Sequence, residues 1–255
     1  MRAEELRLAR SRWTGDLRHR WKLTRRQGLA SEWPTNREQR QSSLEGRDKT
    51  YNSLMRTAIL SDIHGNRTAF EAVVTDLQQT SPDLILHGGD LADSGSSPVE
   101  IVDHIRDLGW QGVVGNTDEM IFRPESLEEF ASQSAAPSSL WTMIREMAEV
   151  TRTMLGEERI GWLRGLPRVQ IQGEMALVHA SPESPWRAPT PEASDDELES
   201  VFGPLGQPIN VYGHIHRPYT RKIPSLHAGE RLVANTGSVS LSYDGDRRAS
   251  YLLVG

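Results

Sequence analysis

The chain has 255 residues, of which 36% are hydrophobic and 25% are charged, and its formal net charge is −6 at pH 7. This length is sufficient for a substantial buried core, and no apolar run approaches the ~20 residues that a membrane span needs. The chain has no cysteine, which excludes disulfides and thiolate metal sites and is compatible with the cytoplasm, where we expect the protein. The N-terminus also lacks the apolar segment typical of a secretory signal.

The first 54 residues are basic, whereas the remainder of the chain is acidic. Residues 1–54 contain 13 Lys and Arg against 7 Asp and Glu, which leaves 16 basic and 28 acidic residues, a net charge of −12, for residues 55–255. We predict that residues 1–54 form a disordered or loosely attached basic leader; the alternative is a basic arm that contacts RNA, a membrane or a partner protein. The acidic remainder opposes stable nucleic-acid binding.

From Met55 onward, short apolar runs alternate with segments of helical periodicity. The pattern predicts strands at 57–60, 84–86 and 112–114, and helices at about 67–79 and 98–108. Asn66 is the expected N-cap of the first helix. This repetition is typical of parallel strands joined by right-handed crossovers, in which functional residues collect at the carboxyl ends of the strands.

The middle and second half of the chain have a different pattern. Residues 119–165 are predicted to form a helical insertion or cap, whose packing face carries Leu140, Met143, Ile144, Met147 and Val150. Predicted strands follow at 168–171, 175–179, 209–212, 219–223, 232–235 and 251–254, with one helix beginning near Asp195. We therefore expect a second sheet, mixed or antiparallel, packed on the first.

Potential metal ligands follow several of the predicted strands. Asp62 and His64 come directly after the first strand, and on an extended strand residues i and i+2 point to the same side. The other candidates end later strands and are Asp90, Asn116, His179, His214 and His216. Carboxylate, amide and imidazole ligands suit Mn²⁺, Fe²⁺/³⁺, Zn²⁺, Ni²⁺ or Mg²⁺. Because seven ligands are too many for one tetrahedral ion, we predict two ions, ~3.5–4 Å apart, that share a carboxylate.

The ordered motifs DIHGN, GGDLAD, GNTD, VHAS and GHIH resemble those of the calcineurin-like metallophosphoesterase superfamily, particularly its small bacterial and archaeal phosphodiesterases. The resemblance covers about residues 55–255, which we treat as one domain, and implies an α/β fold, a four-layer αββα sandwich of two mixed sheets. It also implies two metal sites that share Asp90: one formed by Asp62, His64 and His216, and the other by Asn116, His179 and His214. A hydroxide held between the ions, with Mn²⁺ as the expected metal, would attack phosphorus in line.

Substrate contacts are expected from Asn116 and from Arg217, which directly follows GHIH. The expected substrate is a small phosphate ester, and the oligomeric state remains open. Asp93 and Asp118 are expected to orient neighbouring ligands and loops. His87 is expected to be a hydrogen-bonded core histidine.

Two departures from the family pattern bear on the substrate. The third motif usually carries a histidine where this chain has Thr117, whose hydroxyl cannot act as a general acid near neutral pH. The protein Ser/Thr phosphatases of the superfamily continue their second motif into Asp-Arg-Gly, whereas this chain continues Asp93-Ser94-Gly95. We therefore predict a phosphodiesterase. The alternatives are a phosphomonoesterase, including a protein phosphatase, and a non-catalytic metal-binding scaffold.

Overall fold

The computed structural model of the chain describes residues 7–11, 55–225 and 229–255. Within these ranges the chain forms two β-sheets and six α-helices. The strands are β1 (Arg7–Arg10), β2 (Thr57–Leu60), β3 (Leu84–His87), β4 (Gln111–Gly112), β5 (Val169–Gln172), β6 (Met175–Val178), β7 (Ile209–Tyr212), β8 (Tyr219–Ser225), β9 (Gly229–Asn235) and β10 (Ser250–Val254). The helices are α1 (Arg67–Thr80), α2 (Pro98–Asp107), α3 (Asn116–Phe122), α4 (Glu125–Ala131), α5 (Ser138–Arg164) and α6 (Asp195–Phe202).

The first sheet has the strand order β1-β10-β2-β3-β4, and β2, β3 and β4 are parallel, as predicted. The run at 251–254 was expected in the second sheet, and that expectation is wrong. It forms part of β10, which lies antiparallel between β1 and β2. Its neighbouring side chains Tyr251 and Leu252 point to opposite faces, and both are fully buried. A strand buried on both faces fits the interior of a sheet covered on both sides.

The second sheet has the order β5-β6-β7-β9-β8. Its three central strands β6, β7 and β9 are parallel, and the two edge strands β5 and β8 are antiparallel to their neighbours. The prediction of a second, mixed sheet is therefore confirmed. In both sheets, the loops that follow the carboxyl ends of the parallel strands can collect functional side chains.

Three of the four apolar clusters in the described ranges hold the layers together. One lies between the sheets and joins Ile59 and Leu86 of the first to Leu177 and Val211 of the second. A second core packs α1, α2 and α5 on the outer face of the first sheet, and a third packs α6 on the outer face of the second. This arrangement is the four-layer αββα sandwich that the resemblance implies.

Local sequence signals explain where several helices begin. The side-chain oxygen of Asn66 accepts a 3.1 Å hydrogen bond from the Ala69 N–H, so Asn66 caps α1 as predicted. Ser194 caps α6 in the same way through Glu197, and the acidic first turn of α6 complements the helix dipole. Gly156 interrupts α5 with a non-helical backbone, which bends the helix within the predicted 119–165 region.

The face of α5 that packs on the protein differs from the predicted one. Leu140, Met143 and Val150 are exposed, although all three were assigned to the packing face. The buried positions are instead Ala148, Thr151, Leu155, Ile160 and Leu163. The apolar stripe does not mark the packing face, because the buried face of α5 includes the small Ala148 and the polar Thr151.

The N-terminal region contributes one strand to the fold. Arg7–Arg10 pairs antiparallel with Ser250–Leu253 and forms the outer edge of the first sheet. The Ser11 N–H extends this pairing by donating a 3.1 Å hydrogen bond to the Ala249 carbonyl. The rest of the predicted leader, residues 1–6 and 12–54, lies outside the described residues, so its loose attachment stays a prediction. Within the described ranges, no helix combines the length and hydropathy that a bilayer-spanning segment requires.

Candidate metal centre

The seven candidate ligands lie together beyond the carboxyl ends of the parallel strands. Potential donor atoms of Asp62, His64 and His216 lie within 4.8 Å of one another, as do those of Asp62, Asp90 and His179. The remaining two candidates, Asn116 and His214, join the same cluster through contacts described below. The sheet topology therefore brings residues that are distant in sequence close together in space.

Asp90 lies in the middle of the cluster. Its Oδ2 is 3.7 Å from His64 Nε2, and its Oδ1 is 3.5 Å from His179 Nε2. Asp62 Oδ1 lies 3.3 Å from His216 Nε2 on the side of His64. One carboxylate therefore faces imidazoles on two sides, which is the position expected of a ligand shared by two ions.

Asn116 is the first residue of α3, and its side-chain oxygen lies between two histidines. Asn116 Oδ1 is 3.0 Å from His179 Nε2 and 2.9 Å from His214 Nδ1. An amide oxygen flanked by imidazole nitrogens is a suitable ligand group for a divalent ion. The structure thus brings the predicted second set of ligands together around Asn116.

Backbone carbonyls fix the orientation of three of the imidazoles. The Nδ1 atoms of His64, His179 and His216 lie 3.2, 2.7 and 2.8 Å from the carbonyl oxygens of Asp93, Gly88 and Leu241, respectively. Because a carbonyl only accepts, each Nδ1 carries the proton, and in a neutral ring Nε2 is left with its lone pair facing the cluster. Metal-binding histidines in proteins are held in this way.

The contact between His64 and His216 tests whether a cation fits the site. Their Nε2 atoms are 3.3 Å apart, and in neutral rings with protonated Nδ1 atoms both would present lone pairs to each other. This arrangement is repulsive unless a proton or a metal ion is bound there. The buried carboxylates Asp62 and Asp90 supply negative charge beside it, so the donor set fits divalent cations.

The backbone conformation of the site differs from the extended strand assumed for Asp62 and His64. Both residues have left-handed φ angles, +59° and +49°, and they lie in the loop after β2. Asp90, His214 and His216 also adopt left-handed φ angles, between +55° and +67°. Non-glycine residues rarely adopt this region, and such strain is concentrated at functional sites. Asp62 and His64 do converge, but a turn rather than a strand brings them together.

Two glycines allow the loops to approach the ligands closely. A Cβ on Gly115 would lie 2.0 Å from Asp90 Oδ1, and a Cβ on Gly213 would lie 2.7 Å from Asp62 Oδ2. Both distances are shorter than van der Waals contact allows. The glycines therefore belong to the construction of the site, because any side chain would displace a candidate ligand.

Asp118 and Asp93 have the positioning contacts expected of them. Asp118 accepts hydrogen bonds from the backbone N–H groups of Asp90, Leu91 and Gly115, at 2.8, 3.0 and 3.1 Å. Burial, with the nearby Asp90 carboxylate, raises the pKa of Asp118 to about 7. The Asp93 carboxylate accepts from Thr151 and Ser94, and burial raises its pKa.

The protonation of the histidines reflects the two buried carboxylates. Burial lowers the pKa of His216, but the Asp62 carboxylate more than reverses this and raises it to about 9. Burial likewise opposes protonation of His179, yet Asp90 and Asp62 raise the pKa of its imidazole. His214 differs, because burial lowers its pKa to about 4. Without metal, the cluster therefore retains protons that bound cations would displace.

Two other sequence predictions have different outcomes. His87 is buried, but neither of its ring nitrogens has a hydrogen-bond partner among the described residues, so the expected hydrogen bond is absent. Arg217 lies beside the cluster in sequence, and its guanidinium is 3.8 Å from the Glu192 carboxylate. A role of Arg217 toward substrate therefore stays a prediction.

Sequence reasoning missed two residues that shape the site. Tyr243 stacks on His216. Thr151, on α5, reaches Asp93 from a distant helix. No sequence signal identifies either residue. Ser238 differs, because it belongs to the 235–239 segment, whose sequence predicts a Gly-permitted turn at the wall of the site, and its hydroxyl donates to the Asp62 carbonyl at 3.0 Å.

Comparison with known proteins agrees with this geometry. A family model described as the calcineurin-like phosphoesterase superfamily domain matches residues 55–255. An uncharacterised protein of Methanocaldococcus jannaschii is 32% identical over 212 residues, which cover 77% of this chain and 81% of that protein. A symmetrical bis(5'-nucleosyl)-tetraphosphatase of Cronobacter sakazakii is 28% identical over 193 residues, 71% of this chain but only 63% of that enzyme. The crystal structure of a metallophosphoesterase from Sphaerobacter thermophilus superimposes with a TM-score of 0.62 at 27% identity, covering 79% of this chain and 83% of that one.

Proposed function

Because the chain belongs to the calcineurin-like phosphoesterase superfamily, we propose that it cleaves phosphodiesters at a pair of divalent ions. The family model matches residues 55–255, and the chain is accordingly a metal-dependent phosphoric ester hydrolase. The observation that carries this proposal is the position of Asp90, whose Oδ2 lies 3.7 Å from His64 Nε2 and whose Oδ1 lies 3.5 Å from His179 Nε2. A single carboxylate placed in this way can serve two neighbouring ions.

The ligands divide into two groups around Asp90. Asp62, His64 and His216 would hold one ion. The other ion would be held by Asn116, His179 and His214. Mn²⁺ is the proposed metal, since the donors are oxygen and imidazole without sulfur. When bound, such ions lower the pKa of water, orient a phosphoryl group and neutralise charge that develops on its oxygens.

The residues around the cluster have distinct tasks. Asp118 holds the backbone of Asp90, Leu91 and Gly115 through three N–H groups. Carbonyl oxygens fix the imidazoles of His64, His179 and His216. Asn116 and Arg217 are proposed to contact the phosphoryl oxygens. The Arg217 side chain is about half exposed and can therefore reach a ligand without leaving a buried ion pair.

The absence of an acid at Thr117 supports esters with good leaving groups. A threonine hydroxyl does not protonate an alkoxide near neutral pH, whereas a phosphate or aryl oxide needs little protonation. The relative from Cronobacter sakazakii is named as a symmetrical bis(5'-nucleosyl)-tetraphosphatase, and that name supports substrates that carry nucleotides. Phosphodiesters with good leaving groups are therefore the proposed substrates.

The test uses the full chain after its metals have been removed with a chelator. We expect Mn²⁺ to restore turnover of bis(4-nitrophenyl) phosphate. Turnover of 4-nitrophenyl phosphate should be much lower. Asp90→Ala and His179→Ala should abolish the metal-dependent rate, whereas the exposed-site control Asp107→Asn should retain it. The proposal is wrong if metal-free protein or the two site variants hydrolyse the diester at the wild-type rate.

A further inference from the structure

Two large apolar side chains are exposed beside the metal centre, in a segment we call the rim loop, residues 241–246. Leu241 is 50% exposed and Tyr243 is 61% exposed. Both residues contact His216 through their backbones, because the Leu241 carbonyl accepts from His216 Nδ1 and the Tyr243 N–H donates to the His216 carbonyl. Exposed apolar side chains next to a reaction centre are candidates for ligand contact.

The Tyr243 ring is parallel to the imidazole of His216. The ring centroids are 4.8 Å apart, and the planes are inclined by 15°. One face of the phenol therefore covers the candidate ligand, while most of the side chain is open to solvent. An aromatic ring with one face open and the other supported is a platform on which a second ring can stack.

The backbone of the rim loop is held in a strained conformation. Leu241 has a φ of +58°, which is uncommon for a bulky residue without a compensating contact. Here its carbonyl accepts the 2.8 Å hydrogen bond from His216. The strained turn orients the imidazole and at the same time directs the loop across it, which points to a functional reason for the strain.

Ion pairs fix the far end of the rim loop. Arg10 of β1 pairs with Asp244, and its Nη1 lies 3.3 Å from an oxygen of Asp246. Ser242 donates a 2.6 Å hydrogen bond to Asp244 within the loop. The aromatic platform is therefore already positioned before any ligand arrives, which lowers the entropic cost of binding.

We propose that Tyr243 is a specificity-determining residue that stacks on an aromatic group of the phosphodiester, such as a nucleobase. The inference rests on the proposed phosphodiesterase function and names the substrate class of the same site. Stacking of a base on an aromatic side chain needs no particular hydrogen bonds, so the platform accepts different bases. The phosphate would lie over the metal centre while the base covers the open face of Tyr243.

The experiment compares two esters that share a leaving group. Thymidine 5'-(4-nitrophenyl phosphate) and methyl 4-nitrophenyl phosphate both release 4-nitrophenolate, but only the first carries a base. With Mn²⁺ bound, we expect the full chain to favour the nucleoside ester in kcat/KM. Tyr243→Ala and Tyr243→Leu should reduce that preference by about 10-fold, since a stacked base contributes on this order, whereas Tyr243→Phe should preserve it.

Four outcomes separate this inference from the proposed function. A selective loss of the preference in the Ala and Leu variants supports the platform. Equal losses on both esters, or no loss on either, overturn it, because Tyr243 would then only support His216 or do nothing. If wild type hydrolyses neither ester, the proposed function fails, and calorimetric titration with AMP in the presence of Mn²⁺ tests the platform instead. AMP binding that Tyr243→Ala weakens about 10-fold supports the platform. Equal AMP binding by wild type and variant overturns it.

Discussion

The Thr151 hydroxyl donates a 2.8 Å hydrogen bond to the Asp93 carboxylate, whose own backbone carbonyl lies 3.2 Å from His64 Nδ1. Helix α5 is thereby connected to a candidate metal ligand through one intermediate residue. Both Thr151 and Asp93 are buried, so water cannot replace the bond easily. The position of α5 and the orientation of the His64 ring are consequently coupled.

We expect Thr151→Val to lower the free energy of unfolding by about 1–3 kcal/mol, because Asp93 loses a buried donor. The variant should also bind Mn²⁺ about 10-fold more weakly, as outer contacts of metal ligands commonly contribute that much. Urea unfolding and metal titration measure the two effects. Thr153→Val is the control, since the Thr153 hydroxyl bonds to Glu149 on the exposed side of the same helix. Equal behaviour of the two variants would contradict the coupling.

Gly115→Ala should disrupt the centre, because its Cβ would lie 2.0 Å from Asp90 Oδ1. We expect loss of Mn²⁺ binding together with destabilisation of about 2 kcal/mol or more. Gly161→Ala is the matched control, since beyond the backbone of its own helix its Cβ would meet no described atom within 4 Å, and in helix α5 it should stabilise by about 0.5–1 kcal/mol. Thermal unfolding with and without Mn²⁺ checks both. A Gly115→Ala protein that binds Mn²⁺ normally would refute the close approach.

Thr117→His should raise monoester turnover selectively. The Thr117 hydroxyl is buried without a hydrogen-bond partner in the described part of the chain, while its N–H donates to Asp90 at 2.9 Å. An imidazole there could protonate a poor leaving group, and general acids contribute ~10²–10⁴-fold. We expect at least ~10-fold in kcat/KM for an alkyl phosphate and little change for an aryl diester. Thr117→Gln supplies bulk without an acid, so a similar gain in that variant would argue against proton transfer.

His87→Leu should reduce the acid sensitivity of the fold. Burial lowers the pKa of His87 to about 3, well below its ordinary value, whereas the unfolded chain takes up that proton near pH ~6.5. The native state is therefore destabilised as the pH falls below ~6.5, by about 2 kcal/mol between pH 7 and pH 5 from this residue alone. Urea unfolding in chelator measures it for both proteins. Parallel losses in wild type and variant would show that His87 titrates normally.

Much of the fold follows from patterns that are local in the sequence. The apolar runs at 57–60 and 209–212 coincide with β2 and β7, and the candidate ligands follow directly because parallel strands present their carboxyl ends together. The strand order within each sheet and the packing of the two sheets together explain why Asp62 and His216 meet. Strand β1 escaped prediction because the segment Arg7–Arg10 has no strand pattern of its own, and its pairing depends on β10.

The conformations within the site could not be predicted, because they depend on contacts between loops. The Asp62 N–H donates to the Gly89 carbonyl, and the His64 N–H donates to the Asp90 carbonyl. These bonds hold both residues in the left-handed region, which neither sequence position favours by itself. The His87 ring nitrogens, which have no hydrogen-bond partner among the described residues, and the exposed Val150 likewise result from tertiary packing that overrides the residue type.

The edge position of β1 has a practical consequence for protein production. A chain trimmed to the portion that the family model matches would leave the outer backbone groups of β10 uncovered along Ser250–Leu253. Bare strand edges act as templates for pairing between molecules and favour aggregation. Precipitation of such a shortened protein would then reflect an unprotected sheet margin, and its inactivity would carry no information about the chemistry of the enzyme.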